Sequence, residues 1–368
     1  MSLVSNLISG STGNFGLVDA KKYGHDTGAL RIATESAEAL HDIFIEGFYN
    51  VEQAELAAVH EGVALEGSQY EAAMEASISS VFGKIKEFFK KLWEKVKAFF
   101  HSIKRYIDSI FMSGKDFVKK YDSDIRKATY LKDFEYKMYN YDNAKIDNVE
   151  AVDVDATANE YLGDVDPLFK NGIDGALKGL SNMDDESLSG KSYEKSDETN
   201  NTVSSIGKSG DDDDAVAKHV AEKLGIAGVN EYSDFSQACF SHFRSKAEDK
   251  SDMEDIEITS LSDYVTILKS FDSNKLSKAM TNTDKAFKNA IKRVDECENL
   301  VSKKFQKGDM RTKMSKALST YSAALSKAQT LQNTYYTEWK AVAKERDSAY
   351  KSMIIKAIAY SKKQEKNK

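Results

Sequence analysis

The stretch that decides the fold is ISSVFGKIKEFFKKLWEKVKAFFHSIKRYIDSIF, residues 78–111. Its apolar residues recur in alternating steps of four and three, which places them on one face of a helix. That face contains Ile78, Phe82, Ile85, Phe89, Leu92, Val96, Phe99, Ile103, Tyr106 and Ile110. Further large side chains widen it, among them Phe88, Trp93 and Phe100. The sequence therefore predicts a long amphipathic helix with a broad apolar arc.

Basic residues flank the apolar arc, and residues 78–111 carry eight basic and three acidic residues, a net charge of +5. The basic residues include Lys90, Lys91 and Lys97. Three arrangements suit this pattern. The helix packs in the core of its own chain with the lysines at the margin, it lies on an anionic membrane surface, or it packs against another subunit. The pattern alone leaves these alternatives open.

Charge is distributed unevenly along the chain, which has a net charge of −7 over 368 residues. Residues 1–77 carry a net charge of −9, whereas residues 303–368 carry +11. These shifts in composition suggest four segments. We expect an acidic N-terminal segment at 1–66, the basic helix and a strand at 67–141, an acidic and partly disordered insert at 142–215, and a helical domain at 216–368.

The last hundred residues predict two consecutive helices joined by a turn at Lys307–Asp309. The first has four-three spacing from Leu276 to Val301, and the second runs from about Arg311 to Lys362 with its large residues on one broad stripe. A short connection between two long helices favours an antiparallel hairpin. The lysines of the second helix are expected on a solvated face, with non-specific contact to DNA as the alternative.

The middle of the chain has weaker signals. Gly114 is expected to end or bend the basic helix. Phe134, Tyr136 and Met138 alternate with charged residues, as in a half-exposed strand, and a possible partner strand lies at 256–259. Ser181 to Asp214 has few large apolar residues and is expected to be a disordered loop. The run Asp211–Asp214 is expected to be solvated, because it lacks the ligand order of a calcium loop.

Motifs that carry catalysis are absent from the sequence. The six histidines form no HExxH pair, and there is no nucleophile elbow, phosphate loop or dinucleotide fingerprint. Cys239 and Cys297 form no metal-binding pair, and their scarcity favours a reducing, intracellular origin. No apolar stretch is long enough to span a bilayer. We therefore expect a mainly α protein without enzymatic activity, cofactor or metal.

A short pattern recurs upstream of the basic helix: a small or aliphatic residue, any residue, then Glu before a small residue. It occurs at Ala64–Gly67, Ala73–Ala76 and Ser36–Ala39. This pattern resembles the processing signal of the prohead proteases of large tailed bacteriophages, which cut after such glutamates. Residues 60–140 and 255–365, about half of the chain, are similar to the virion structural proteins processed in this way.

The resemblance implies a virion component made in the host cytoplasm, with other virion proteins and the prohead protease as partners. It implies that the acidic N-terminal segment is a propeptide that masks the basic helix until cleavage. The cut is expected after Glu66, with Glu61, Glu75 and Glu38 as alternatives. A membrane-active protein and a DNA-contacting packaged protein remain the rival hypotheses, and the sequence predicts no oligomeric state.

Overall fold

The computed structural model describes residues 67–165, 172–175, 210–244, 253–271, 276–303 and 309–366. These residues are mainly helical and contain a small two-stranded sheet, which confirms the predicted fold class. In chain order the elements are α1 (Gly67–Lys127), β1 (Glu135–Met138), α2 (Asn143–Asp147), α3 (Val154–Val165), α4 (Gly210–Lys223), α5 (Phe235–His242), β2 (Glu254–Glu257), α6 (Ser262–Ser270), α7 (Ser277–Lys303) and α8 (Asp309–Lys366).

The long helices α1 and α8 run parallel to each other. The ring of Phe100 in α1 meets Tyr336 in α8, with ring centroids 5.4 Å apart. Farther along both helices, Asp124 pairs with Lys362 at 2.8 Å. Contacts thus advance in the same direction along α1 and α8.

The predicted C-terminal hairpin is present, since α7 runs antiparallel to α8. Thr283, early in α7, donates to Gln329 at 3.4 Å. Arg293, later in α7, donates to the Tyr321 hydroxyl, which comes earlier in α8, at 2.7 Å. Lys307 and Gly308 of the predicted turn lie outside the described residues.

Helix α8 is surrounded over its middle. Between Leu318 and Ala343 the described side chains are buried or half-buried on every face. The expectation of one apolar stripe opposite a solvated face is therefore wrong for this stretch. Two of the buried polar residues satisfy their hydroxyl groups within the helix: Thr330 donates to the Ser326 carbonyl and Thr337 to the Asn333 carbonyl, at 2.8 and 2.9 Å.

The two predicted strands pair with each other in antiparallel register. Tyr136 lies opposite Ile256, and Met138 lies opposite Glu254. The backbone N–H of Ile258 extends the contact by donating to the Phe134 carbonyl at 2.9 Å. The second strand thus begins two residues earlier than the sequence predicts.

Gly114 does not end α1, which corrects that part of the sequence prediction. The helix continues to Lys127. A Cβ atom at position 114 would lie 2.5 Å from the carbonyl oxygen of Leu268 in α6. Glycine at position 114 therefore allows α1 and α6 to pack closely.

Part of the segment expected to be an acidic insert is in the core. Ile146 of α2 and Leu162 of α3 are almost fully buried. Trp339 of α8 donates its indole N–H to the Ile146 carbonyl at 2.8 Å, and Tyr336 donates to the Glu150 carbonyl at 2.6 Å. These bonds attach α2 and the segment that follows it to α8.

Candidate functional site

The apolar arc of α1 lies in the core of the chain. Its buried members include Phe82, Ile85, Phe89, Leu92 and Val96. Trp93 and Phe99 are half-buried and pack against this core. Of the three arrangements suggested by the sequence, core packing is the one in which the structure places these residues.

One lysine of α1 takes part in this packing. The Lys86 ammonium lies 2.5 Å from carboxylate oxygens of both Asp295 and Glu298 in α7. Burial lowers the pKa of Lys86, but hydrogen bonds to the two carboxylates outweigh it, and the pKa lies above its usual value. Ser79 also donates to Glu298, at 2.9 Å. These polar contacts attach the early part of α1 to α7.

The remaining lysines of the predicted helix lie at the surface. Lys90 and Lys91 are exposed, and Lys97 is half-buried. Lys91 pairs with Glu87 one turn earlier at 2.7 Å, while the Lys97 ammonium lies 3.5 Å from the centre of the Trp93 ring. The same helix thus combines an apolar face that builds the core with a basic face that meets solvent.

Three of the four candidate cleavage sites precede α1 in the sequence, and the fourth lies within it. Glu38, Glu61 and Glu66 lie outside the described residues, and Glu66 directly precedes the first residue of α1. Glu75 lies within α1, on helical backbone.

An ion-pair network joins α3, α7 and α8, and within it Arg293 and Asp155 are buried whereas Asp174 is exposed. Arg293 of α7 donates to both carboxylate oxygens of Asp174 at 2.6 Å and also contacts Asp155. The Tyr321 hydroxyl donates to Asp155 at 2.7 Å, and Asn289 donates to the other oxygen of Asp155 at 2.9 Å. The hydrogen bonds from Arg293 hold the pKa of the Asp174 carboxyl below its usual range. These groups connect three elements through hydrogen bonds and ion pairs, an arrangement that stabilises the packing of the helices. We call such a network a clasp.

A second clasp lies farther along α8. The Arg244 guanidinium donates to Glu345 at 2.6 Å and stacks 3.5 Å from the centre of the Tyr139 ring. The Tyr141 hydroxyl donates to the other Glu345 oxygen at 2.8 Å. Sequence reasoning missed Arg244 and Arg293 as buried residues.

Another buried arginine does have a signal in the sequence. Arg346 stands four residues after Val342 and three before Ala349, so it occupies a position of the apolar stripe itself. It is buried and donates to Asn143 at 2.9 Å and to Asp147 at 3.3 Å. An arginine at a stripe position thus marks a buried bond to α2.

The tetra-aspartate run is not a solvated loop, because residues 210–223 form α4. Asp213 pairs with Lys327 of α8, and the Asp214 carboxylate accepts the backbone N–H of Tyr232 at 2.6 Å. Carboxylates in the first turn of a helix are stabilised by its dipole. These aspartates therefore begin and anchor a helix, which the composition alone did not indicate.

Groups typical of active sites are engaged in packing. Cys239 and Cys297 are buried, and burial raises the pKa of the Cys297 thiol to about 12. His219 contacts Glu160 at the surface. Among the residues that the structure describes, no group of three or more His, Cys, Asp or Glu side chains is arranged to hold a metal ion.

One cleft between α1, α6 and α8 is small. The cleft bordered by Phe111, Leu268, Phe271 and Arg346 encloses about 10 Å³. That volume holds about one water molecule.

No protein-family model, curated protein or solved structure significantly matches the chain. No helix in the described ranges is sufficiently long and apolar to cross a membrane.

Proposed function

We propose that the chain is a non-enzymatic structural or internal head protein of a large tailed bacteriophage, matured by a prohead protease that cuts after Glu66. The observation that carries the proposal is the position of this glutamate relative to the folded part. Helix α1 begins at Gly67, and Phe82 is the first of its described side chains that is buried in the core. Cleavage after Glu66 therefore leaves every described helix whole.

The position of the start of α1 favours Glu66 over Glu75 as the cut site. Extended segments are the form in which a peptide can pair with the edge of a binding cleft. Glu75 lies nine residues into α1, so cutting after it requires the helix to unwind first. Glu66 precedes the helix, so cutting after it requires no more than the first turn of α1 to unwind.

Charge supplies a physical reason for cleavage to promote assembly. Residues 1–66 carry ten acidic and three basic residues, a net charge of −7. The remaining chain holds 49 acidic and 49 basic residues and is neutral overall. Net charge keeps proteins apart in solution, and a net charge near zero promotes association. Removal of the N-terminal segment would thus weaken the repulsion between copies of the chain and favour their association.

The test is mass spectrometry of purified virions of the phage that encodes the chain. We expect peptides that begin at Gly67 and loss of those from residues 20–60. Virions with Glu66→Ala should retain the N-terminal peptides. The control is Glu71→Ala, which should be processed normally because Glu71 lacks the small or aliphatic residue two positions earlier. Peptides from residues 20–60 at full stoichiometry in wild-type virions, or absence of the chain from virions, would overturn the proposal.

The membrane-active alternative is not favoured by any contact in the described residues. Insertion into lipid would require Phe89 and Leu92 to leave the core, where both are almost fully buried. Burial of a large apolar side chain stabilises a fold by about 1.5–3 kcal/mol. Lipid would therefore have to replace packing that already exists within the chain.

A further inference from the structure

The exposed side of α1 carries a run of basic residues that the packing of the chain leaves at the surface. We call the basic ridge the set Lys90, Lys91, Lys95, Lys97, Lys104 and Arg105. Residues 90–105 contain one acidic residue, Glu94, so their net charge is +5. Five of the six basic side chains are exposed, and Lys97 is half-buried.

The opposite face of the same helix holds the ridge in place. Leu92, Val96, Phe100 and Ile103 are buried between these basic residues. The charges therefore keep helical spacing without a ligand. At about 1.5 Å per residue, the distance from Lys90 to Arg105 is about 22 Å. A strand of duplex DNA presents about six phosphates over that length, at about 3.4 Å each.

Helix α8 extends the positive surface sideways. The Lys340 ammonium lies 4.8 Å from the centre of the Tyr106 ring, next in sequence to Arg105. Lys344, one turn farther along α8, is exposed. The parallel packing of α1 and α8 thus brings charge from the C-terminal segment beside the ridge.

The residues between the basic side chains distinguish two kinds of anionic partner. Ala98, His101 and Ser102 are the exposed residues there besides Glu94. The exposed large apolar residues of the described chain, Met112, Tyr130, Met253 and Ile355, lie outside residues 90–105. A helix that binds lipid needs apolar side chains to bury among the headgroups. Phosphates of a nucleic acid require only exposed cations.

From this geometry we infer that the basic ridge binds the sugar-phosphate backbone of nucleic acid without reading its sequence. Five of its six cations are lysines, which act as point charges toward phosphates. Base recognition relies more on bidentate side chains such as arginine, asparagine and glutamine, and the ridge offers one arginine. This inference places nucleic-acid contact on α1, whereas the sequence suggested the C-terminal helix. It does not depend on cleavage after Glu66.

The test measures fluorescence anisotropy of a labelled 30-base-pair duplex of arbitrary sequence with the full chain. If about five phosphates are neutralised, affinity should fall about 500-fold between 50 and 200 mM salt. A second duplex of unrelated sequence should bind equally well. Absence of binding at 50 mM salt, or binding that does not change with salt, would overturn the inference.

A matched pair of triple variants locates the contact. Lys90→Gln, Lys95→Gln and Lys104→Gln together should weaken binding at least about tenfold and reduce the salt slope by about three. The control changes Lys278, Lys285 and Lys292 to Gln, which removes the same charge from exposed lysines of α7. It should change affinity less than about twofold. Equal losses in both variants would show an effect of net charge and overturn the assignment to the ridge.

Two further measurements complete the test. Helicity and the urea midpoint should be unchanged in both triple variants, since all six side chains are exposed. Vesicles of phosphatidylserine and phosphatidylcholine serve as the competing surface. The opposite result is that the chain binds these vesicles more tightly than the duplex, with that binding lost in the ridge variant. That result would overturn the inference, because the partner of the ridge would be a lipid surface and not nucleic acid.

Discussion

Arg293 is buried and connects several elements of the fold. Its guanidinium contacts Asp155 of α3, Asp174 and the Tyr321 hydroxyl of α8. Loss of one partner of a buried ion pair leaves the other charge without compensation, which typically costs about 3–5 kcal/mol. We therefore expect Arg293→Met to lower the free energy of unfolding by about 3–5 kcal/mol, as measured by urea denaturation.

The neighbouring Lys292 provides the control. Its side chain is 75% exposed and pairs with Glu296 on the surface of α7. Exposed pairs of this kind contribute about 0–1 kcal/mol. Lys292→Met should therefore change stability by less than about 1 kcal/mol. Equal effects of the two substitutions would mean that the network around Arg293 does not hold the helices together.

At the same scale, the apolar residues were easier to predict from the sequence than the polar ones. Phe89 and Val96 are buried where the four-three spacing places them, because that spacing is a local property of the helix. Arg293 and Asp155 are 138 residues apart in the chain. No local pattern relates residues at that separation, so the clasp depends on the tertiary fold.

Two glycines of α1 test how helix propensity and close packing compete within one element. Gly83 is exposed, and a Cβ atom there would have no neighbour within 4 Å. Alanine costs about 0.5–1 kcal/mol less than glycine inside a helix. Gly83→Ala should therefore raise the free energy of unfolding by about 0.5–1 kcal/mol.

Gly114→Ala should have the opposite sign. The added Cβ would lie 2.5 Å from the Leu268 carbonyl oxygen, a backbone atom that cannot rotate away. Helix α6 would have to shift, and overpacking of this kind typically costs about 1–3 kcal/mol. Urea denaturation of both variants measures the two effects. Stabilisation by alanine at both positions would mean that α6 does not approach α1 closely at Gly114.

The elements themselves were predictable to different degrees. The strands near residues 136 and 256 followed from the alternation of apolar and charged residues. The hairpin followed from two long segments with helical periodicity. The acidic start of α4 and the polar middle of α8 were harder. Their hydrophilic side chains are characteristic of loops and surfaces, yet Asp213 of α4 pairs with Lys327, and Gln329 of α8 accepts a hydrogen bond from Thr283 of α7. Composition indicates polarity but not the partners that make a polar residue suitable for the interior.

At the scale of the whole molecule, the apolar core and the exposed basic residues occupy separate parts of the structure. The core of the described residues extends from Phe82 to Ile358 and includes side chains of α1, α7 and α8. The basic ridge lies on the outer side of α1, which supplies apolar residues to that core. The sequence predicted both faces but did not decide whether the apolar one meets lipid, another subunit or the chain itself. Only the tertiary packing of α1 against α7 and α8 decides among these alternatives.

This separation leads to a prediction about the chain that begins at Gly67. Its large core lies downstream of the proposed cut, and Lys86 and Ser79 already attach the early part of α1 to α7. Residues 67–368 should therefore unfold cooperatively in urea, with a free energy of unfolding within about 1 kcal/mol of the full chain. Ion-exchange chromatography should detect the loss of seven negative charges, and light scattering should detect stronger self-association at low salt. A shortened chain that lacks a cooperative transition would mean that residues 1–66 stabilise the fold, and a propeptide removed during maturation could not have that role.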